Sequence, residues 1–79
     1  MVKNYNDKMD TLLNEEVVLE AHIEDMEKRK FFLSMKDMWN NTDYEIDRAF
    51  ANEIFKAQQE LKEVKAAILS LVTANYCIA

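Results

Sequence analysis

Residues 46–78 read IDRAFANEIFKAQQELKEVKAAILSLVTANYCI, and apolar side chains recur along this stretch every three, four or seven positions. The recurring residues are Ile46, Phe50, Ile54, Ala57, Leu61, Val64, Ile68, Leu71 and Ile78, with Asn75 as the interruption. Because a spacing of three or four keeps side chains on one helical face, the stretch predicts a single long helix with a continuous apolar stripe. A stripe of that length needs a second helix to cover it.

The first half of the chain carries a comparable stripe, made of Tyr5, Met9, Leu12, Leu19, Ile23 and Met26. Glu16 takes the position between Leu12 and Leu19, so the pattern is a heptad-like seam with one polar member. After Met26 the phase changes. Lys30 stands where the stripe would continue, and the next apolar residues fall on a rotated face.

The strongest break in the helical pattern is WNNTDYE at residues 39–45. Thr42 followed three residues later by Glu45 has the spacing of a capping box, which predicts that the second helix starts near Asp43. Asn40 and Asn41 tolerate the left-handed conformation that ends a helix. The sequence therefore predicts an all-α fold in one domain, 1–79: an antiparallel two-helix hairpin with helices at about 3–40 and 43–76 and a turn at 40–42.

A turn centred near position 42 also predicts a register between the two helices. In that register Ile23 faces Leu61 and Leu19 faces Val64. The two stripes would then meet along most of their length.

The small size of the chain predicts self-association. Its 79 residues contain no Gly, no Pro and one Cys, so neither a disulfide framework nor a metal cluster can supplement a small core. A homodimer that closes a four-helix bundle is the simplest way to cover the remaining apolar surface. The residues predicted for that interface are Leu13, Val17, Leu69, Val72 and Tyr76.

The rotated apolar face near the middle of the chain has two interpretations. In the first, the first helix contacts its intrachain partner on one side and a second subunit on the other, so that both stripes are structural. In the second, the face is a docking patch for another protein, since Met side chains adapt to a partner and Trp is a frequent interface anchor. The residues predicted for partner binding are Phe31, Phe32, Met35, Met38 and Trp39.

Charge and motif content argue against several classes of function. The net charge is -5, and the acidic residues concentrate between Asp7 and Glu27 before a basic block at residues 28–30, so general phosphate-backbone binding is not expected. No Gly-rich phosphate loop or nucleophile, base and acid constellation is present. His22 lacks the preceding Glu of helical di-metal sites, and Cys77 has no partner cysteine. We therefore expect no enzymatic activity, no metal and no cofactor.

The chain shows no signal peptide and no apolar run long enough to span a bilayer, which predicts a cytoplasmic protein without membrane contact. In size and hairpin architecture it resembles plasmid Rop-type RNA-binding dimers. With its apolar final segment it also resembles the hairpin chaperones of type III secretion needle subunits. Both resemblances concern architecture, so no residue roles follow from them.

The expected function is that of a small non-enzymatic adaptor or regulator that binds a protein partner through helical faces. This class includes viral or mobile-element proteins that inhibit a host factor. Two alternatives remain open at this level. One is a dedicated chaperone or assembly subunit, and the other is an acidic mimic of nucleic acid that presents the carboxylates between Asp7 and Glu27.

Overall fold

The structure, a computed structural model, describes the backbone of residues 2–78 and the side chains of residues 7–74. It contains two helices, α1 (Val2–Ser34) and α2 (Asn41–Ile78), which run antiparallel and pack along their length. The hairpin measures 60 × 14 × 14 Å. The predicted all-α helical hairpin is confirmed.

The two helices meet along one seam, whose side chains are buried or half-buried. In α1 these are Met9, Leu12, Glu16, Leu19, Ile23, Met26, Lys30 and Leu33, and in α2 they are Asp47, Phe50, Ile54, Ala57, Leu61, Val64, Ile68 and Leu71. The spacing of three and four is unbroken in both helices, as in an antiparallel coiled coil. Glu16 is half-buried in the seam, as predicted, whereas Ile46 is outside it and Asp47 takes its place.

The first helix ends at Ser34, six residues earlier than predicted. Its last turn tightens, with the N–H of Met35 donating to Phe32 O (3.2 Å) and the N–H of Lys36 donating to Leu33 O (3.1 Å). The indole of Trp39 also donates to Leu33 O, at 3.0 Å. These bonds satisfy carbonyls that a continued helix would use, so residues 35–40 form a connection and not a further turn of α1.

A capping box starts the second helix, but it lies two residues before the predicted one. Asn40 Oδ1 accepts from the N–H of Asp43 at 2.9 Å, and Asp43 Oδ2 accepts from the N–H of Asn40 at 3.0 Å. Asn40 is therefore the N-cap, and the prediction of Thr42 with Glu45 is wrong. No described residue has a positive φ, so the predicted left-handed stop at Asn40 and Asn41 is also wrong.

Asp43 connects the cap to the rest of the turn, because its Oδ2 also accepts from Lys36 Nζ at 2.8 Å. Two hydrogen bonds hold the pKa of Asp43 below its ordinary value of 3.8. The bond from Lys36 has the larger effect, and the bond from the Asn40 N–H has the second largest. A carboxylate with a depressed pKa stabilises the fold above the unfolded-state pKa, and this stability is lost as pH falls through the folded-state pKa.

We therefore expect Asp43→Asn to lower the thermal midpoint at neutral pH. As the pH falls from about 5 to about 2, the midpoint of this variant should also decrease less steeply than that of the wild type. Thermal unfolding followed by circular dichroism over that range measures both effects. Asp37→Asn, in an exposed carboxylate of the same connection, is the matched control and should leave the decline unchanged. An equal decline in the wild type and Asp43→Asn would contradict the assignment.

Two polar contacts across the seam report the register of the hairpin. Lys30 Nζ lies 2.9 Å from Asp47 Oδ1, and His22 Nε2 lies 3.4 Å from Glu53 Oε1. Both pairs are centred between positions 37 and 39, in the middle of the 35–40 connection. These centres lie a few residues from the predicted centre at 42. The two predicted facing pairs nevertheless border common depressions, Ile23 with Leu61 and Leu19 with Val64.

The core of a single hairpin is small. Among the side chains described, only three apolar ones are buried: Ile23, Ala57 and Val64, which are 8%, 4% and 9% exposed. The chain exposes 6424 Å² of surface. A compact protein of 9.3 kDa exposes about 5,000 Å², so roughly 1,400 Å² more than the compact value remains in contact with solvent.

Candidate protein-binding surfaces

The end of the hairpin formed by the connection carries a cluster of exposed apolar side chains, which we call the tip patch: Phe31, Phe32, Met35 and Met38. These side chains are between 62% and 83% exposed. The rings of Phe31 and Phe32 meet edge to face, with centroids 6.2 Å apart. Four large apolar groups this exposed within eight residues exceed the scattered apolar residues of an ordinary surface.

Trp39 differs from the other four residues predicted for partner binding. Its side chain is half-buried, its indole N–H is bonded to Leu33 O, and its ring packs edge to face on Tyr44 with centroids 5.1 Å apart. These contacts join the connection to the helix on either side of it. Trp39 therefore holds the end of α1 against the start of α2, and the tip patch is defined without it.

Four cations near the tip patch have carboxylate partners within the chain. Lys28 pairs with Glu24 (3.3 Å), Arg29 with Asp25 (2.9 Å), Lys30 with Asp47 (2.9 Å) and Lys36 with Asp43 (2.8 Å). The basic block at residues 28–30 is thus internally neutralised, and a phosphate backbone would have to compete with these carboxylates. The tip patch therefore offers apolar contact and not a net positive charge.

The seam divides the remaining surface of the hairpin into two flanks. One is marked by a groove of about 710 Å³ whose walls include Glu15 and Val18 of α1 and Glu60 and Ala67 of α2. A smaller depression of about 240 Å³ marks the other flank, beside Glu20 and Glu24. Because these sets lie on opposite sides of the seam, helical spacing assigns each outer residue to one flank.

We call the second flank the lateral face. Its residues in α1 are Asp10, Leu13, Val17, Glu20, Glu24 and Glu27, and in α2 they are Arg48, Ala51, Phe55, Gln58, Lys62, Lys65, Leu69 and Val72. Phe31 follows on the same side of α1 but belongs to the tip patch. Four of the five residues predicted for the oligomer interface, Leu13, Val17, Leu69 and Val72, fall on it. The fifth, Tyr76, lies outside the residues whose side chains are described.

Charge on the lateral face is segregated by helix. Asp10, Glu20, Glu24 and Glu27 make the α1 edge acidic, whereas Arg48, Lys62 and Lys65 make the α2 edge basic. Within residues 7–74, only Glu24 of these seven groups has an ion-pair partner. The sequence alone does not reveal this segregation, because the phase of the α2 seam must be known before its outer residues can be assigned to a flank.

The other flank, with the 710 Å³ groove, has mixed charge on both helices. Its α1 residues include Glu15, His22 and Arg29, and its α2 residues include Glu53 and Lys56. His22 and Glu53 already contact each other across it. This flank is therefore partly satisfied within one chain and carries less unpaired charge of a single sign on each helix.

Among the described residues, no three His, Cys, Asp or Glu side chains are grouped so that they could hold a metal ion. No described helix is long and apolar enough to cross a bilayer. Comparison with models of known protein families, with curated proteins and with solved structures finds no significant match.

Proposed function

We propose that this protein is a non-enzymatic adaptor or regulator that binds another protein through the tip patch and that it acts as a homodimer. The exposure of Phe31, Phe32, Met35 and Met38 at one end of the hairpin carries the proposal. Side chains of this kind stabilise a complex when a partner removes them from water. Flexible Met side chains next to aromatic rings suit an apolar groove or an amphipathic helix on the partner.

The electrostatics of the tip support an apolar mode of binding. Since Lys28, Arg29, Lys30 and Lys36 all have carboxylate partners, little unpaired charge is available to attract a strongly charged ligand. Binding should depend weakly on salt, because screening acts on exposed charges and not on apolar burial. The same neutralisation disfavours RNA as the ligand.

We expect Phe32→Ala or Met35→Ala to weaken partner binding by about 1–4 kcal/mol, as central interface anchors do. Both side chains are exposed, so neither change should affect helicity or the thermal midpoint. Proteins captured from the native host by the wild type are identified by mass spectrometry. Calorimetric titration of each purified candidate against both variants, at low and high salt, then measures the loss.

Val18→Ala is the matched control, since Val18 is comparably exposed but lies on the grooved flank, far from the tip. It should bind the partner as tightly as the wild type does. The proposal is wrong if the tip variants retain full affinity, or if Glu20→Lys with Glu24→Lys abolishes binding while the tip variants do not. The second result would assign recognition to the acidic part of α1.

A further inference from the structure

We propose that the lateral face is the homodimer interface, and that α1 of each copy packs on α2 of the other with both tips at the same end. The inference rests on the homodimer included in the proposed function and specifies its geometry. The occupant of the face is a second copy of this chain, for two reasons given by area and by charge.

The exposed area of a single hairpin determines how much surface a second copy must cover. A single hairpin exposes 6424 Å², roughly 1,400 Å² more than a compact chain of this mass. A standard protein interface covers about 800 Å² on each partner, and obligate homodimers cover more. Exposed apolar groups that such an interface would cover are spread along the lateral face: Leu13, Val17, Phe55 and Leu69. One further copy is therefore enough to bring the exposed area to that of a compact protein.

The charges on the two edges of the lateral face determine how the second copy is oriented. If α1 faced α1 of the second copy, the carboxylates of Glu20, Glu24 and Glu27 would lie against carboxylates of the other chain. The Arg and Lys side chains of α2 would likewise lie against Arg and Lys side chains. If α1 faces α2, the acidic edge of each chain meets the basic edge of the other. Opposite charges across an interface fix orientation, and like charges oppose it.

The symmetry of the dimer then follows from geometry. Two hairpins that face each other through the same surface are related by a twofold axis, either along their length or across it. An axis across the length puts α1 against α1, whereas an axis along the length puts α1 against α2. The charges therefore select the lengthwise axis, which makes all neighbouring helices antiparallel and brings the two tip patches together at one end. The dimer would present a doubled apolar docking surface.

A charge-exchange experiment tests the orientation. In one variant Asp10, Glu24 and Glu27 are replaced by Lys, and in the other Arg48, Lys62 and Lys65 are replaced by Glu. Each variant alone should dimerise at least about tenfold more weakly than the wild type, because both of its α1 to α2 contacts become repulsive. An equimolar mixture should form a heterodimer with nearly wild-type affinity. Sedimentation equilibrium measures affinity, and native mass spectrometry identifies the heterodimer.

A triple variant of the grooved flank, Glu15→Lys with Glu60→Lys and Glu63→Lys, is the control and should remain a homodimer. Circular dichroism verifies helicity in every variant. A second measurement needs none of these charge changes: a single spin label at Asp37, in a chain with Cys77→Ser, reports the distance between the two tips. We expect a distance shorter than half of the 60 Å length of the hairpin.

Three results would overturn the inference: a wild-type monomer at every concentration, a mixture that does not form the heterodimer while both variants remain helical, or a distance between tips near the full length of the hairpin. None of them bears on the tip patch. A monomer whose partner binding is lost in Phe32→Ala would retain the binding part of the proposed function. A dimer of the proposed geometry that binds its partner equally well with Phe32→Ala would lose only that part.

Discussion

Replacing Ile23 by Ala is expected to lower the free energy of unfolding by about 2–4 kcal/mol, because the change removes a buried side chain and leaves a cavity. Ile23 is 8% exposed and is one of three buried apolar side chains among those described. Few other contacts can compensate for its loss. Urea unfolding followed by circular dichroism measures the change at a fixed protein concentration.

Two further substitutions make the Ile23 experiment quantitative. Ile23→Val removes one methylene and should cost about 0.5–1.5 kcal/mol. Val18→Ala removes two methyl groups from an exposed side chain and should change stability by no more than about 0.5 kcal/mol. If Ile23→Ala and Val18→Ala cost the same, the seam is not the core of the folded chain.

The second large effect is expected at the ion pair inside the seam. Asp47 Oδ1 is buried, and the ammonium of Lys30 lies 2.9 Å away, although outside hydrogen-bond geometry. Lys30→Met should lower the free energy of unfolding by about 1–3 kcal/mol, because it leaves the buried oxygen without a counter-ion. Lys30→Met with Asp47→Leu should recover most of that loss, since an apolar pair can replace a half-buried ion pair in the seam. Urea unfolding of the three proteins measures both steps.

In the double variant, the two helices should nevertheless no longer pack in a single register. With apolar side chains at both positions, a slip by one heptad no longer separates two opposite charges, so a second population should appear. Spin labels at Val18 and Glu60, which line the same groove, should give one narrow distance in the wild type. In the double variant a second distance should arise from a displacement of about 10 Å, seven residues at 1.5 Å each. A single unchanged distance would show that the connection alone determines the register.

That ion pair also explains which part of the fold the sequence could predict. The spacing of three and four determines which face of each helix is buried, and most of the seam follows from it. A repeating pattern, however, looks the same after a shift of one repeat, so it cannot distinguish registers that differ by a heptad. The contact between Lys30 and Asp47 distinguishes these registers. Both residues are polar, however, so a pattern of apolar residues does not include them.

The early end of α1 was missed for a related reason. Residues 39–45 contain two overlapping capping boxes, Asn40 with Asp43 and Thr42 with Glu45, and both have the required side chains and spacing. The choice depends on Lys36 and Trp39, whose bonds to Asp43 and Leu33 exist only once the connection has folded. Local sequence rules do not include such contacts.

The candidate surfaces were predictable to different degrees. Leu13, Val17, Leu69 and Val72 were identified from apolar residues that a hairpin leaves uncovered, and they fall on one flank. The exposure of four of the five residues predicted for partner binding also agrees with the sequence pattern, whereas the bond from the Trp39 indole to Leu33 could not be foreseen. The separation of acidic and basic edges required the seam of α2 to be located first.

The bonds of the connection are all local in sequence: the capping box spans three residues, the Trp39 to Leu33 bond six and the Lys36 to Asp43 bond seven. Contacts between residues so close along the chain close only short loops and therefore lose little entropy. We expect folding of the hairpin to begin at the connection and to proceed toward the chain ends. Each contact between α1 and α2 shortens the loop that the next contact must close. Low contact order of this kind is typical of fast-folding helical proteins. The end of the molecule that carries the tip patch would then be the first part of a newly made chain to reach its final shape.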